Sequence, residues 1–325
     1  MEKIIIGIDI SSKTLDICVK KDSLIEHYCI ENQVKEIRSF FKKFACEHLV
    51  VAMENTGRYN WNLYEVFESF SFKVYVLPPL HLKKSLGLIR GKNDKIDALR
   101  ICQYIEKNQK ESVQWKPTQL VIKKMKVLIT ERLSRMKMKL ILSKQQHDYK
   151  LMKNIGLDKE LMKLNKKLIE RIEKQILLIE SKIETLIQED FELKNQSELI
   201  RSVPGVGKVL SWLILSKTEA FTRITEPRKL ACYAGVVPFD FQSGTSINRK
   251  PRVSVFADKS LKSVLHMAAM SSIRLNNDLR IYYLRKVKEG KNKMSVLNAV
   301  RNKIIHRIFA VIKNQVMYKN DLVLS

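Results

Sequence analysis

The sequence predicts a mixed α/β domain at the N-terminal end of the chain, followed by a mainly helical remainder. Short runs rich in Ile and Val fill residues 1–80, apolar residues recur at helical spacing through the middle, and a glycine turn separates two helical stretches at residues 204–207. A length of 325 residues exceeds one ordinary hydrophobic core. We therefore expect three domains, at 1–112, 113–195 and 196–325.

The N-terminal domain is predicted to begin with three β-rich runs joined by short polar turns, which is typical of a meander. Two helical segments then alternate with two buried strands, and a further helix closes the domain. The expected segments, in the order β-β-β-α-β-α-β, are 3–9, 14–20, 24–30, 34–44, 49–53, 61–70 and 74–77. This order is the topology of the ribonuclease-H-like nuclease fold.

Four carboxylates fall where that topology holds acidic residues. Asp9 follows the first apolar run, Glu54 ends another, and Asp94 and Asp97 share one face of the closing helix. Each has an ordinary interpretation, as a turn former, a loop acid, a helix N-cap or a first-turn acid. Together they favour a site for Mg²⁺, with Mn²⁺ as the alternative, because converging carboxylates repel one another without a cation. Asp16 is an additional acid that strand alternation is expected to turn towards solvent.

Charge points to a polyanionic partner. The formal net charge is +26 and the pI is about 9.8, which favours DNA or RNA over an anionic membrane surface. We expect no membrane association, because no apolar run approaches the roughly 20 residues of a membrane span, and no signal peptide is recognisable. The five cysteines are scattered without a CxxC, so we expect neither disulfides nor zinc. A cytoplasmic, nucleoid-associated protein is predicted.

Basic residues concentrate at two places along the first half of the chain. Lys92 and Lys95 flank the acid Asp94, where they could grip a phosphate or simply lie in a solvated loop. Residues 116–153 hold eleven Lys or Arg against two acids, which favours nucleic-acid contact over a plain solvated helix face.

The middle region is predicted to form two long helices. Between Pro117 and Phe191 there is no proline and a single glycine, Gly156. Isoleucines from Ile169 to Ile183 alternate spacings of three and four, which is the pattern of a coiled-coil seam. The seam could pair within a helical hairpin or between subunits.

Two motifs stand out in the C-terminal domain. The turn at Gly205 and Gly207, followed by Lys208, resembles a helix-hairpin-helix element, whose backbone N–H groups bind a DNA phosphate; the alternative is that the glycines only cap two helices. Ser243 lies in a Gln-Ser-Gly stretch and is predicted to be a turn residue, because Ser-Gly is common in turns and no adjacent His or Asp would activate the serine. A basic loop with Arg249, Lys250 and Arg252 follows it.

The whole chain resembles the insertion-sequence-110 family of transposases, known as bridge-RNA-guided recombinases. The resemblance runs through six motifs in order: Gly7-Ile8-Asp9, Glu54-Asn55-Thr56-Gly57, Lys92-Asn93-Asp94-Lys95-Ile96-Asp97-Ala98, Pro204-Gly205-Val206-Gly207, Ala234-Gly235-Val236-Val237-Pro238 and Gln242-Ser243-Gly244.

The resemblance implies a RuvC-like N-terminal domain, a joining coiled coil and a C-terminal transposase domain. It implies a metal-binding acid set made of Asp9, Glu54, Asp94 and Asp97. It also implies that Ser243 is a nucleophile, and that the acids of one subunit act with the serine of another.

From this resemblance we expect an RNA-guided DNA recombinase that cuts through a covalent phosphoserine link, assisted by Mg²⁺. The basic residues that follow Ser243 would hold the scissile phosphate. Expected partners are double-stranded donor and target DNA, a structured guide RNA, and copies of the same chain as a dimer assembling into a tetramer. Two rival functions are a metal-dependent Holliday-junction nuclease, in which Ser243 is dispensable, and a non-catalytic nucleic-acid-binding scaffold.

Overall fold

The computed structural model describes residues 3–44, 48–85, 93–243, 247–254 and 256–319, and for residues 84 and 239–252 it describes the backbone alone. The chain divides into two compact units, Met1–Pro117 and Thr118–Ser325. The predicted middle region, 113–195, therefore falls largely within the second unit.

The first unit is a mixed α/β domain with the predicted element order and one additional short helix, α3, that the sequence did not indicate. Its elements are β1 (Ile4–Ile10), β2 (Thr14–Lys21), β3 (Leu24–Glu31), α1 (Val34–Lys42), β4 (Leu49–Glu54), α2 (Trp61–Phe67), β5 (Lys73–Leu77), α3 (Pro79–Ser85) and α4 (Asp94–Asn108). The strands form one sheet in the order β3-β2-β1-β4-β5. The first three strands are antiparallel neighbours, whereas β4 runs parallel to both β1 and β5.

Both faces of the central strands are buried, which explains why β1 and β4 read as nearly continuous apolar runs. Ile8 and Met53 belong to the core cluster on the face covered by α1 and α2. Ile5 and Ala52 belong to the cluster on the opposite face, which α4 covers. Successive residues alternate between these two faces.

Gly7 sets how closely α4 packs on the sheet. A Cβ atom at Gly7 would lie 2.7 Å from the amide nitrogen of Cys102 and closer still to the carbonyl oxygen of Ala98. Only a glycine therefore admits the helix backbone at this distance. The first turn of α4 is brought beside the end of β1 as a result.

The second unit is mainly helical. Its elements are α5 (Leu120–Tyr149), α6 (Asp158–Gln188), α7 (Phe191–Ser202), α8 (Lys208–Thr218), α9 (Pro227–Tyr233), β6 (Phe239–Ser243), β7 (Ile247–Arg252), α10 (Lys259–Ser272), α11 (Asp278–Lys288) and α12 (Lys293–Asn314). One core cluster of buried residues runs through its helices. Within the described residues, no helix is both long and apolar enough to cross a membrane.

The two long helices form an antiparallel hairpin. Arg132 pairs with Glu180 at 2.6 Å, and further along Lys139 pairs with Glu173 at the same distance. The isoleucines of the predicted seam are buried or half-buried along α6. In this structure the seam therefore packs within one chain.

The prediction of a loop after Ser243 is wrong, because the basic residues there belong to the second strand of a β-hairpin. Strands β6 and β7 pair antiparallel, with Ser243 opposite Ile247 and Phe239 opposite Arg252. Prolines at 238 and 251 and the polar residues between Ser243 and Ile247 concealed the strand pattern in the sequence.

The glycine turn at 203–207 joins α7 to α8. Gly205 has a φ of 83°, and a Cβ there would lie 2.7 Å from the backbone nitrogen of Ser272 in α10. Gly207 has open space around it, and Lys208 is exposed, 3.8 Å from the Glu184 carboxylate. Packing alone thus explains Gly205, while the phosphate-binding role of the turn stays a prediction.

Candidate metal centre

The centre is built around Asp9, near the end of β1. Asp9 lies two residues beyond Gly7 and so emerges on the face that α4 covers. Asp94 and Asp97 occupy the first turn of α4, which the close packing at Gly7 holds against this end of the strand. The sheet and the helix therefore direct three carboxylates to one place.

The three carboxylates come close enough to share an ion. One oxygen each from Asp9, Asp94 and Asp97 lies within 4.8 Å of the other two. Oxygens around a Mg²⁺ at about 2.1 Å are roughly 3 to 4 Å apart, so modest side-chain rotations would bring all three to one ion. An all-carboxylate donor set is the chemistry that Mg²⁺ and Mn²⁺ prefer.

Local hydrogen bonds fix two of these acids. Asp9 accepts a bond of 3.0 Å from the backbone N–H of Ile10, and Asp97 accepts one of 2.7 Å from Arg100. The N-cap of α4 is Asn93, whose side chain accepts from the Lys95 N–H at 3.1 Å. Asp94 is therefore not the N-cap that the sequence offered as its ordinary role.

The neighbouring carboxylates disfavour one another's ionised form. Burial raises the pKa of Asp9, and the carboxylates of Asp97, Asp94 and Asp16 raise it further, against the lowering effect of the Ile10 N–H. Burial and the Asp94 carboxylate likewise raise the pKa of Asp16. A divalent cation would relieve this repulsion, because it favours the charged form of each group.

Asp16 is the residue that sequence reasoning placed wrongly. It lies directly opposite Asp9 in the β1–β2 pairing, and cross-strand partners point to the same face of a sheet. It is half-buried instead of facing solvent. The signal was available, since the short turn at residues 11–13 fixes the register that pairs residue 9 with residue 16.

Glu54 lies beside the cluster but is not one of the three grouped acids. The parallel register pairs Ile8 with Met53, so Glu54 is one step further along, next to Asp9. Alternation from Ala52 turns it to the side that α4 covers. The strand register thus places the fourth predicted acid beside Asp9.

The remaining predicted residues divide between described and undescribed positions. Lys92 lies outside the described residues, and Lys95 is exposed in the first turn of α4. Ser243 is the last residue of β6, and Arg249, Lys250 and Arg252 belong to β7. The described backbone thus puts the serine and the basic residues on one hairpin.

A polar cluster that the sequence did not reveal stands beside this hairpin. Asp258 lies six residues beyond the end of β7. It accepts a hydrogen bond from Lys217 at 2.8 Å and another from the Tyr233 hydroxyl at 3.1 Å. It also caps α10 by accepting from the backbone N–H of Leu261. Burial by itself would raise the pKa of Asp258, but these bonds hold it well below its ordinary value. The cluster fixes the start of α10, six residues beyond the hairpin.

Helix α5 carries fewer unpaired cations than its composition suggests. Lys126 pairs with Glu219 and Arg132 with Glu180, each at 2.6 Å. Arg135 pairs with Glu131, and Lys139 with a glutamate of α6. Several of the basic side chains on α5 thus serve the internal structure of the second unit.

Two family models match this chain. The DEDD transposase model of IS110 elements, described as Transposase, matches residues 6–152, and the model described as Transposase IS116/IS110/IS902 family matches residues 197–284. The chain belongs to the IS110 family of transposases. The first matched stretch of this family member holds all four predicted acids, and the second holds Ser243.

Curated relatives agree with this assignment. The chain is 26% identical over 326 residues to the pilin gene-inverting protein of Moraxella bovis, a match that covers 96% of this chain and 97% of that protein. The Moraxella lacunata protein of the same name is also 26% identical, over 328 residues, with the same coverage. The insertion element IS900 uncharacterized 42 kDa protein of Mycobacterium paratuberculosis is 26% identical over 154 residues, covering 46% of this chain and 38% of that protein.

Among solved structures, the chain is similar to T. thermophilus RuvC in complex with Holliday junction substrate. That likeness has 16% identity and a TM-score of 0.27, and it covers 35% of this chain and 99% of that one.

Proposed function

We propose that this IS110-family transposase is a recombinase that cuts and rejoins DNA through a covalent phosphoserine intermediate, assisted by a divalent metal. The observation that supports this most is the convergence of Asp9, Asp94 and Asp97 at the sheet edge, in a chain whose second family match contains Ser243.

In the proposed reaction, the Ser243 hydroxyl loses its proton and its oxygen forms a bond to phosphorus. The bond from phosphorus to the sugar oxygen breaks, and that oxygen leaves as a hydroxyl after taking up a proton. Attack by the hydroxyl of another strand on the phosphoserine reverses the chemistry and rejoins the DNA. No external energy source is needed, because one phosphoester bond is exchanged for another.

The acids have a separate role from the serine. Asp9, Asp94 and Asp97 would hold Mg²⁺, or Mn²⁺ in its place, and Glu54 would complete the set from the neighbouring strand. The bound ion would supply Lewis-acid stabilisation of the charge that develops on the phosphate. Arg249, Lys250 and Arg252 would neutralise the phosphate from the hairpin that carries the serine.

The charge of +26 supports nucleic-acid partners. We propose double-stranded donor and target DNA, with target choice directed by a structured guide RNA that the protein reads through its phosphates and shape. Exchange between two duplexes needs several strand cuts, so a homodimer that assembles into a homotetramer is proposed. The site of action would be the nucleoid of a prokaryotic cytoplasm.

A covalent-adduct assay tests the proposal. The full chain is incubated with RNA transcribed from the flanks of its element, end-labelled junction DNA and Mg²⁺, and then run on a denaturing gel. A protein–DNA band is expected with the unchanged chain and with Ser246→Ala, a serine three residues away, and is expected to be absent with Ser243→Ala.

The same gel separates the rival functions. The acid cluster lies wholly in the first unit, which favours a junction nuclease as the second candidate. Mg²⁺-dependent cleavage without an adduct, retained by Ser243→Ala, would establish the nuclease. DNA binding with no cleavage under any of these conditions would favour a non-catalytic scaffold.

A further inference from the structure

The second unit contains a cavity of about 600 Å³ between α11 and α12, distant in sequence from Ser243 and the acid cluster. Asn302, Lys303, His306 and Arg307 line it from a single face of α12, since their spacings of one, three and four residues repeat along a helix. Tyr282 of α11 lies across from them, and two alanines of α12 leave the space open.

The cavity is cationic and no acidic residue lines it. Lys303 and Arg307 carry full charges, and His306 adds a third basic group. Helices α11 and α12 together hold nine Lys or Arg against one acid, Asp278. Three of the nine pair with acids, Arg307 with Asp278 and both Arg285 and Lys286 with Glu289, whereas Lys303 has no ion pair among the described residues.

Two buried polar atoms of the lining residues lack partners. The Oδ1 atom of Asn302 and the Nη1 atom of Arg307 are inaccessible to solvent and find no hydrogen-bond partner among the described residues. A buried polar group without a partner costs about 1–3 kcal/mol. If a side-chain rotation turned these two atoms towards the cavity, a ligand that offers an acceptor to the guanidinium and a donor to the amide oxygen would satisfy both.

The cations are held in place before any ligand arrives. Arg307 donates from its other terminal nitrogen to Asp278, which also accepts from the Tyr318 hydroxyl at 2.8 Å. The Lys303 ammonium lies 4.6 Å from the centre of the Tyr282 ring. Asp278 is thus used to orient Arg307 while leaving its Nη1 for another acceptor.

We propose that this cavity binds a backbone phosphate of a nucleic-acid strand. A phosphodiester is small enough for the space, carries the charge that Lys303 and Arg307 complement, and offers acceptor oxygens to the unpaired guanidinium N–H. A ribose 2′-hydroxyl next to the phosphate supplies the donor that the Asn302 oxygen lacks, and deoxyribose does not. The site therefore favours RNA over DNA. This inference rests on the proposed function, in which nucleic acid is the substrate and the guide.

Fluorescence anisotropy with the full chain tests the site. The probes are a labelled 20-nucleotide single-stranded RNA and a DNA of the same sequence, each titrated at several KCl concentrations. The variant is Lys303→Gln, because Lys303 is exposed and its loss leaves the core intact, whereas Arg307 is tied to Asp278. Lys313→Gln is the matched control, since Lys313 is an exposed lysine of the same helix outside the cavity.

Lys303→Gln is expected to weaken RNA binding about tenfold. It should also reduce the slope of log affinity against log KCl concentration by about one, because one charged phosphate contact is lost. Lys313→Gln is expected to change affinity less than about twofold, since it removes the same charge without removing a contact. Lys303→Arg should restore most of the affinity.

Three outcomes would overturn parts of the inference. Equal effects of Lys303→Gln and Lys313→Gln would show that only net charge matters and would remove the site. An unchanged affinity together with a smaller sedimenting species would make the cavity a protein interface. Equal affinities of the unchanged chain for the RNA and the DNA probe would uphold the phosphate site and overturn the role of Asn302. A failure of the unchanged chain to bind either probe would instead count against the proposed function itself.

Discussion

The acid cluster and Ser243 are held by structures of very different size. Asp9 belongs to a central strand of a five-stranded sheet, and α4 is pressed onto that strand at Gly7. Ser243 ends one strand of a two-stranded sheet. A two-stranded hairpin is marginal by itself, so the position of the serine depends on what anchors the hairpin stem. Packing against the sheet holds the acid cluster, whereas the contacts described next to the Ser243 hairpin are the polar ones of Asp258 at the start of α10.

The largest effect is expected where packing decides the geometry. Gly7→Ala should lower the free energy of unfolding by about 2 kcal/mol, because the new methyl group collides with the α4 backbone. It should also lower Mg²⁺-dependent cleavage, because the helix that carries Asp94 and Asp97 must move away. Chemical denaturation and the cleavage assay measure the two effects.

Gly207→Ala is the matched control for this change. Nothing lies within 4 Å of the Cβ position at Gly207, and its φ of −103° suits any residue. Its free energy of unfolding should change by less than about 0.5 kcal/mol. A Gly7→Ala protein as stable and active as the unchanged chain would mean that α4 is not held in register by this contact.

The polar anchor of the hairpin should show a pH dependence. Asp258→Asn is expected to cost about 1–2 kcal/mol of unfolding free energy near pH 7, because the charged bond to Lys217 is lost. The native pKa of Asp258 lies below its ordinary value, so its contribution is present above pH about 4 and is lost as the pH falls towards the native pKa. Denaturation at pH 7 and at pH 3 should therefore show a difference that shrinks with acid.

An exposed ion pair serves as the comparison. The Glu226 and Lys229 side chains form an ion pair and are 57% and 65% exposed, respectively. Glu226→Gln breaks this pair and should lower the free energy of unfolding by less than about 0.5 kcal/mol at any pH. If Asp258→Asn behaved like Glu226→Gln, the polar contacts of Asp258 would not stabilise the segment that follows the hairpin.

The smallest effect is expected at Asp16. Asp16→Asn removes one negative charge that faces Asp9 across the strand pair, so the Mg²⁺ concentration for half-maximal cleavage should rise about threefold. Asp22→Asn, in the exposed β2–β3 turn, should leave the Mg²⁺ requirement unchanged, since Asn tolerates its positive φ of 47°. If cleavage depended on Mg²⁺ concentration identically in Asp16→Asn and in the unchanged chain, the charge of Asp16 would have no effect on metal binding.

Local sequence patterns were sufficient for the first unit. Apolar runs predicted the strands and helical spacing predicted the helices, because the sheet is buried on both faces. The sequence also indicated that Asp9, Asp94 and Asp97 meet. The face that Asp16 occupies could be assigned only from the cross-strand register. The sequence could not distinguish Asn93 from Asp94 as the N-cap of α4, because the two residues are adjacent and both types are common N-caps.

Contacts between distant residues account for what the sequence did not reveal. The glutamates that neutralise Lys126 and Arg132 on α5 are 93 and 48 residues away. The Lys217–Asp258 pair joins α8 to the start of α10, and the cavity at Lys303 needs α11 to fold against α12. Composition gave the sign of the charge, but only the tertiary structure shows which cations are already paired.

The central claim is that the metal-binding acids serve the chemistry of the serine. The most direct measurement is the yield of the covalent protein–DNA band for the unchanged chain and for Asp9→Asn, with Mg²⁺ titrated from zero in EDTA. We predict that the band grows with Mg²⁺ in the unchanged chain and is absent from Asp9→Asn at every concentration. A band of equal yield in Asp9→Asn, or one that persists in EDTA, would contradict the account.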